Sequence, residues 1–243
     1  SAASDVYKRQ LVMLIDRSQE ITFIHGWLFG PYIWNDVRKY FNQIKKHNVI
    51  SLSSFDLKAS CSNKEKIDDL LKSVGENQII LSYSYSASLI LYSDNLDICK
   101  GTIILMNPFF KPKENSINHL YNNIKTDFKK NIRRFIYNCV KREETKSKSN
   151  YQRLLKLFEN NYIPSTDLLC SDLKDLDKIH QSDRLVKPIK NLHIIQSSSD
   201  EVNDTSMFNL LESSKFNTYQ LPNSPHFPFF EFNQIYEIIK NIK

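Results

Sequence analysis

The chain has 243 residues, 41% hydrophobic and 25% charged, with a formal net charge of +6. These values indicate one sizeable domain or one domain carrying an insertion, and they exclude wholesale disorder. No apolar run reaches the roughly 18 residues of a membrane span and the N-terminus lacks the order of a signal peptide, so a cytoplasmic protein without membrane association is expected. The four cysteines, Cys61, Cys99, Cys139 and Cys170, are far apart in sequence. No CxxC or Cys/His spacing appears, so neither a metal site nor a disulfide framework is expected.

Residues Ser1–Gln10 resemble the translation of a sequencing adaptor, Asp5-Val6-Tyr7-Lys8-Arg9-Gln10 above all, and are set aside as a scar. The whole chain has four glycines, so motifs that normally use Gly are expected to carry Ser or Ala. From Leu11 onward, short β-rich runs follow one another: Leu11 to Ile15, Ile21 to Ile24, Val49 to Leu52, Ile79 to Leu81, Thr102 to Met106 and Leu192 to Ile195. Helical spacing separates several of them, as at Ile67, Leu70, Leu71 and Val74, and again at Leu89, Ile90, Tyr92 and Leu96. Alternation of strand and helix predicts a mostly parallel α/β sheet.

The alternation stops after Phe110 and resumes at Pro188. Residues 11–110 and 186–243 are therefore assigned to the core, and 111–185 to an inserted helical cap. Within it, an apolar stripe from Ile117 to Cys139 predicts one or two helices, and the polar stretch Lys141 to Asn150 predicts a loop. Lys111 to Lys156 holds 13 Lys and Arg against 4 Asp and Glu, so the positive charge of the chain is concentrated there. A charge run of this kind is most often a solvated helix face. With no binding motif beside it, nucleic acid is not expected as a partner.

The chemistry is carried by a β-run followed by Ser82-Tyr83-Ser84-Tyr85-Ser86 and then a helical apolar pattern. A nucleophile elbow has this layout, because the strand and helix backbones approach so closely around the serine that residues two before and two after it must be small. Upstream, Ile21-Thr-Phe-Ile-His25-Gly26-Trp27 is a strand ending in His-Gly, where a backbone N–H can be aimed at an oxyanion. Downstream come Asp200 and His226, giving the chain order Ser, Asp, His. Asp204 also lies just past a strand and competes with Asp200 for the acid. The ring of His25 is read as structural, and His47, His119, His180 and His193 as surface or core residues.

His25-Gly26-Trp27-Leu-Phe-Gly-Pro-Tyr-Ile-Trp34, the Ser84 segment, Asn107-Pro-Phe-Phe110 and Pro225-His226-Phe-Pro-Phe229 together resemble the α/β-hydrolase carboxylesterases of biotin synthesis, which cleave the methyl ester of pimeloyl-acyl-carrier protein. The resemblance covers nearly the whole chain after Gln10 and implies an α/β-hydrolase fold with a helical cap after the sixth strand. It implies Ser84 as nucleophile, Asp200 as acid, His226 as base, and the N–H groups of Trp27 and Tyr85 as oxyanion donors, with no metal or cofactor. Phe109, Phe110, Phe128 and Phe135 are candidates to line an acyl channel with Trp27, although an aromatic at helical spacing is more often core. Lys129, Lys130, Arg133, Arg134 and Arg142 are expected to dock an acidic acyl carrier protein on a monomeric enzyme. Ser82, Ser86 and Ser197 stand where the family has Gly. These departures leave open a relative of different specificity, a thioesterase or a broad short-chain esterase, and the basic cap leaves open a non-catalytic binding protein of the same fold that docks an acidic partner.

Overall fold

A computed structural model describes residues 19–56, 61–110, 116–142, 144–181, 189–204, 208 and 216–242. The adaptor-like segment and the expected strand Leu11 to Ile15 lie outside these, as do the expected cap boundaries. In chain order the elements are β1 (Glu20–Ile24), α1 (Trp34–Val37), β2 (Lys46–Ile50), α2 (Asn63–Ser73), β3 (Gln78–Tyr83), α3 (Tyr85–Leu91) and β4 (Thr102–Met106). There follow α4 (Ser116–Thr126), α5 (Phe128–Val140), α6 (Glu144–Glu159), α7 (Thr166–Gln181), β5 (Leu192–Ser197), β6 (Asn217–Leu221) and α8 (Phe232–Lys240).

The strands form one sheet in the order β2-β1-β3-β4-β5-β6, every pair parallel. The central strands β3, β4 and β5 are buried along almost their whole length, which is why their sequences read as continuous apolar runs. The edge strand β6 is Asn-Thr-Tyr-Gln-Leu and is buried at Leu221 alone. It offers no apolar run, so periodicity does not mark it. β2 begins at Lys46, earlier than the expected start at Val49, because the ladder with β1 pairs Glu20 with Lys46 and selects polar residues at its start.

Four helices, α4 to α7, occupy the stretch between β4 and β5, so among the described residues the insertion follows the fourth strand. The apolar stripe from Ile117 to Cys139 is divided between α4 and α5 at Asp127, whose side chain caps α5 by accepting the Lys130 N–H. The expected loop from Lys141 to Asn150 is instead largely helix, since α6 begins at Glu144. Its first turns are polar but rich in good helix formers, and the apolar positions that dock the helix, Leu154 and Phe158, come later. None of the described helices is long and apolar enough to cross a membrane.

The strand order reverses between β1 and β3, since β2 lies on one side of β1 and the rest of the sheet on the other. At such a switch point the connections leave in opposite directions and open a crevice at the carboxyl ends of the strands. Gly101, which leads into β4, sits under the turn before β3: a Cβ there would lie 2.3 Å from Val74 Cγ1 and 2.6 Å from the Gln78 carbonyl oxygen. Gly101→Ala is therefore expected to cost roughly 1–3 kcal/mol of stability, as overpacking does elsewhere, read as a lower urea midpoint.

Candidate active site

The two strand ends at the switch point carry the two motifs. Beyond β1, the buried His25 ring donates from Nδ1 to the Gly26 carbonyl at 2.9 Å and accepts the Leu52 N–H at Nε2 at 3.0 Å. Burial pushes its pKa down to about 4, so the ring is neutral with both nitrogens committed to backbone. A Cβ on Gly26 would lie 2.9 Å from the Tyr83 ring and 3.1 Å from Ser84 Cβ, which explains why the residue beside the elbow is glycine.

Ser84 joins β3 to α3 at φ 56° and ψ −116°, a conformation that L-residues avoid. Three hydrogen bonds hold it. Its N–H donates to the Met106 carbonyl at 2.8 Å, and its own carbonyl accepts the Ser88 N–H at 3.0 Å and the Ser88 hydroxyl at 3.1 Å. The serines at the flanking small positions pair with each other, Ser82 Oγ to Ser86 Oγ at 2.6 Å, and Ser86 Oγ also reaches the Ile24 carbonyl. Neither serine leaves an unpaired buried hydroxyl, which would otherwise cost on the order of 1–3 kcal/mol.

Ser84 Oγ lies 2.9 Å from His226 Nε2, and His226 Nδ1 lies 2.7 Å from Asp200 Oδ2. A carboxylate can only accept from Nδ1, so that nitrogen carries the proton and Nε2 offers its lone pair to the serine hydroxyl. The other carboxylate oxygen of Asp200 accepts the amides of Val202 at 2.8 Å and Asn203 at 2.9 Å. Asp200, four residues before Asp204, is thus the acid that reaches the ring. All three side chains are buried, where hydrogen bonds to charged groups are strengthened by the low dielectric.

Around the imidazole, Tyr83 and Phe109 pack with ring centroids 5.4 and 5.8 Å away. Of the aromatic candidates, Phe128 is half-buried against the core at the start of α5, and Phe109 packs against the His226 ring. Trp27 is buried, with Nε1 donating to the Leu169 carbonyl of α7 at 3.0 Å and its ring edge-on to Phe135 of α5 at 4.9 Å. Tyr85 opens α3, so its N–H is among the amides that have no carbonyl four residues back to bond. The Tyr85 hydroxyl lies 3.4 Å from Asn63 Nδ2, which also donates to Asp172 of α7 at 2.8 Å. Both residues expected to supply oxyanion donors thus turn their side chains toward the same inserted helix.

Of the expected docking residues, Lys129, Lys130, Arg133 and Arg134 are exposed on α5, with Arg133 paired to Glu159 at 3.1 Å. Arg142 is a correction: its side chain is 8% exposed and grips both carboxylate oxygens of Glu231. That bond ties the insertion to the segment before α8, so the guanidinium is not presented to a partner. His47 binds the Phe41 carbonyl and His193 the Tyr219 hydroxyl, while His119 is exposed. The side chain of His180 lies outside the described residues. Periodicity and motif spacing miss Gln196 and Asn203, which both bond Asp200. Neither has a sequence signal beyond closeness to the acid.

Burial pushes the Asp172 carboxyl up to about 7, with Asp175 adding to the shift and the hydrogen bond from Asn63 opposing it. A carboxyl raised from the usual value near 4 stabilises the fold most below that value, and its contribution is lost as pH rises toward 7. Asp172→Asn is isosteric and does not ionise. Relative to wild type, that variant is expected to be more stable by a few kcal/mol at pH 8 and little changed at pH 4, as read from urea midpoints across the range.

No protein-family model matches the sequence, and no curated protein matches it. Solved structures do match its fold. A serine hydrolase from Cycloclasticus zankles superposes with a TM-score of 0.63 at 15% identity, over 93% of this chain and 90% of that one. A bromoperoxidase from Bacillus anthracis gives 0.64 at 11% identity, over 92% and 88%. BioG from Haemophilus influenzae gives 0.57 at 12% identity, over 88% and 91%. Further matches include α/β-hydrolase fold proteins from Burkholderia ambifaria and Desulfitobacterium hafniense. With its parallel sheet and its elbow at the switch point, the chain has the α/β-hydrolase fold.

Proposed function

We propose that this protein is a serine carboxylesterase, and that its substrate is the methyl ester of a pimeloyl chain carried by an acyl carrier protein. The observation that carries the esterase reading is the unbroken hydrogen-bond chain from Ser84 through His226 to Asp200, with the serine on a strained elbow at the switch point. The likeness of the fold to a serine hydrolase supports it. The carrier-linked substrate draws its support from the sequence resemblance and from the exposed cations of α5.

In this mechanism the Ser84 oxygen attacks the ester carbonyl while its proton passes to His226 Nε2. Asp200 keeps the proton on Nδ1 and stabilises the imidazolium that forms. The carbonyl electrons move onto oxygen, where the amides of Trp27 and Tyr85 receive them. Collapse of the tetrahedral species expels methoxide, which leaves as methanol with the proton from His226. Water then attacks the acyl-serine as His226 takes its proton, and the free acid departs as that proton returns to Ser84.

A fluorophosphonate should label Ser84 in preference to Ser82, Ser86 or Ser88. Ser84→Ala and His226→Ala should each lower kcat by on the order of 10⁴ to 10⁶ with the fold intact. Asp200→Asn should cost on the order of 10⁴, and Asp204→Asn little. Equal activity of both Asp variants would remove Asp200 from the mechanism.

The substrate is tested by comparing the carrier-linked methyl ester with the corresponding thioester and with a short p-nitrophenyl ester. Reversing Lys130 and Arg134 to Glu should raise KM for the carrier-linked ester, more so below 0.1 M salt, and leave the small ester unchanged. These two residues are chosen because Arg133 is paired with Glu159. No change in KM for the carrier-linked ester would reduce the basic face to a solvated surface.

A further inference from the structure

The Asn107-Pro108-Phe109 segment that follows β4 has no role in the chemistry above, yet bonds from the His226 connection, the Asp200 loop and the helix behind Ser84 converge on it. Asn107 is one of four described residues other than glycine with positive φ, at 48°, and it is fully buried. Its backbone N–H continues the sheet by donating to the Ile195 carbonyl at 2.9 Å. Its amide nitrogen Nδ2 donates to the main-chain carbonyl of His226 at 2.7 Å and to Ser197 Oγ at 3.0 Å. Its Oδ1 accepts the Ser197 N–H at 2.7 Å. Its own carbonyl accepts Asn203 Nδ2 at 3.0 Å, and Asn203 gives its backbone N–H to Asp200 Oδ1. One residue earlier, the Met106 carbonyl holds the N–H of Ser84.

Resting on the esterase reading, we propose that Asn107 is the positioning residue of the site: it fixes the backbone of His226 and the loop of Asp200 in register with Ser84. The chemistry singles out asparagine. Among residues with a Cβ, Asn is one of the few that enter the left-handed region at small cost. Its amide offers two donors and an acceptor, and both ends are used here. Aspartate has the same shape, but would set a carboxylate oxygen against the His226 carbonyl in place of a donor. Glycine would keep the backbone and lose the clamp.

Phe109 extends the same device. Its N–H donates to Ser88 Oγ at 2.8 Å, and its ring lies against the imidazole that Asn107 holds from the main-chain side. The histidine has no helix or strand of its own to fix it, since it lies on the connection between β6 and the segment before α8. A displacement of about 1 Å at a reacting group costs on the order of a hundredfold in rate.

The test compares wild type with Asn107→Asp, Asn107→Gly and Ser197→Ala, the last removing two bonds of the same cluster, from Asn107 and to Ser224, neither of which is made to His226. Three quantities are read: kcat and KM on a p-nitrophenyl ester, the rate of Ser84 labelling by a fluorophosphonate, and the low-field proton resonance of His226 Nδ1–H in ¹⁵N-histidine-labelled protein. Both Asn107 variants should lose about a hundredfold in kcat and in labelling rate with KM nearly unchanged. The Nδ1 resonance should shift or broaden, while Ser197→Ala keeps it and stays within a few-fold of wild type in rate.

A folded Asn107→Gly protein with wild-type kcat and an unshifted resonance would overturn the proposal. So would an equal loss in Ser197→Ala, which would make the whole cluster merely structural. If Asn107→Asp fails to fold, Asn107→Gly, which keeps the left-handed turn, decides the matter. If the wild-type protein neither turns over esters nor takes the label, the esterase reading fails. The His226 resonance then still decides whether Asn107 sets the ring.

Discussion

Ser84 is held where an L-residue does not choose to be, and much of the site follows from keeping it there. Strain of this kind costs of order 1–3 kcal/mol, and it persists because the surroundings over-determine it. The Met106 carbonyl takes the Ser84 N–H from one side, and Ser88 takes the carbonyl from the other with both its N–H and its hydroxyl. Each such bond contributes roughly 0.5–1.5 kcal/mol net, so together they offset the strain. The close approach also dictates what lies next door, since a side chain at position 26 would run into Tyr83 and Ser84.

The polar chain behind Ser84 is buried in aromatic surroundings. Tyr83, Phe227 and Phe229 pack on one another, and Tyr83 and Phe109 contact His226. Apolar walls exclude competing water and raise the strength of each hydrogen bond inside them. They also make any unpaired polar atom expensive, which is why the acid is so fully engaged: Asp200 accepts from Gln196, Val202, Asn203 and His226.

The inserted helices are bonded to the parts of the core that carry the site. Trp27 is held by α7, Asn63 bridges Asp172 of α7 to Tyr85, and the Phe227 N–H donates to the Cys139 carbonyl at 2.7 Å. Arg142 adds an ionic tie to Glu231 from the turn between α5 and α6. These bonds run to the residue beside His226 and to both residues expected to supply oxyanion donors. The geometry of the site is therefore coupled to how the insertion sits.

The sequence by itself determined the parallel α/β class, because buried central strands must be written as short apolar runs and the helices between them as amphipathic ones. It also marked the elbow, since a sharp strand-to-helix turn demands small residues around Ser84, and it placed Asp200 and His226 in the order this fold needs. Three-dimensional packing alone decided the rest. Polar β6 is a strand because it pairs with β5, α6 begins in a run that reads as loop, and Arg142 is consumed by a glutamate 89 residues away. The choice of Asp200 over Asp204, and the convergence of Asn107 and Asn203 on the site, rest on hydrogen bonds between residues distant in sequence. Local periodicity reports which face of an element is buried, but it carries no information about which distant polar group will stand opposite.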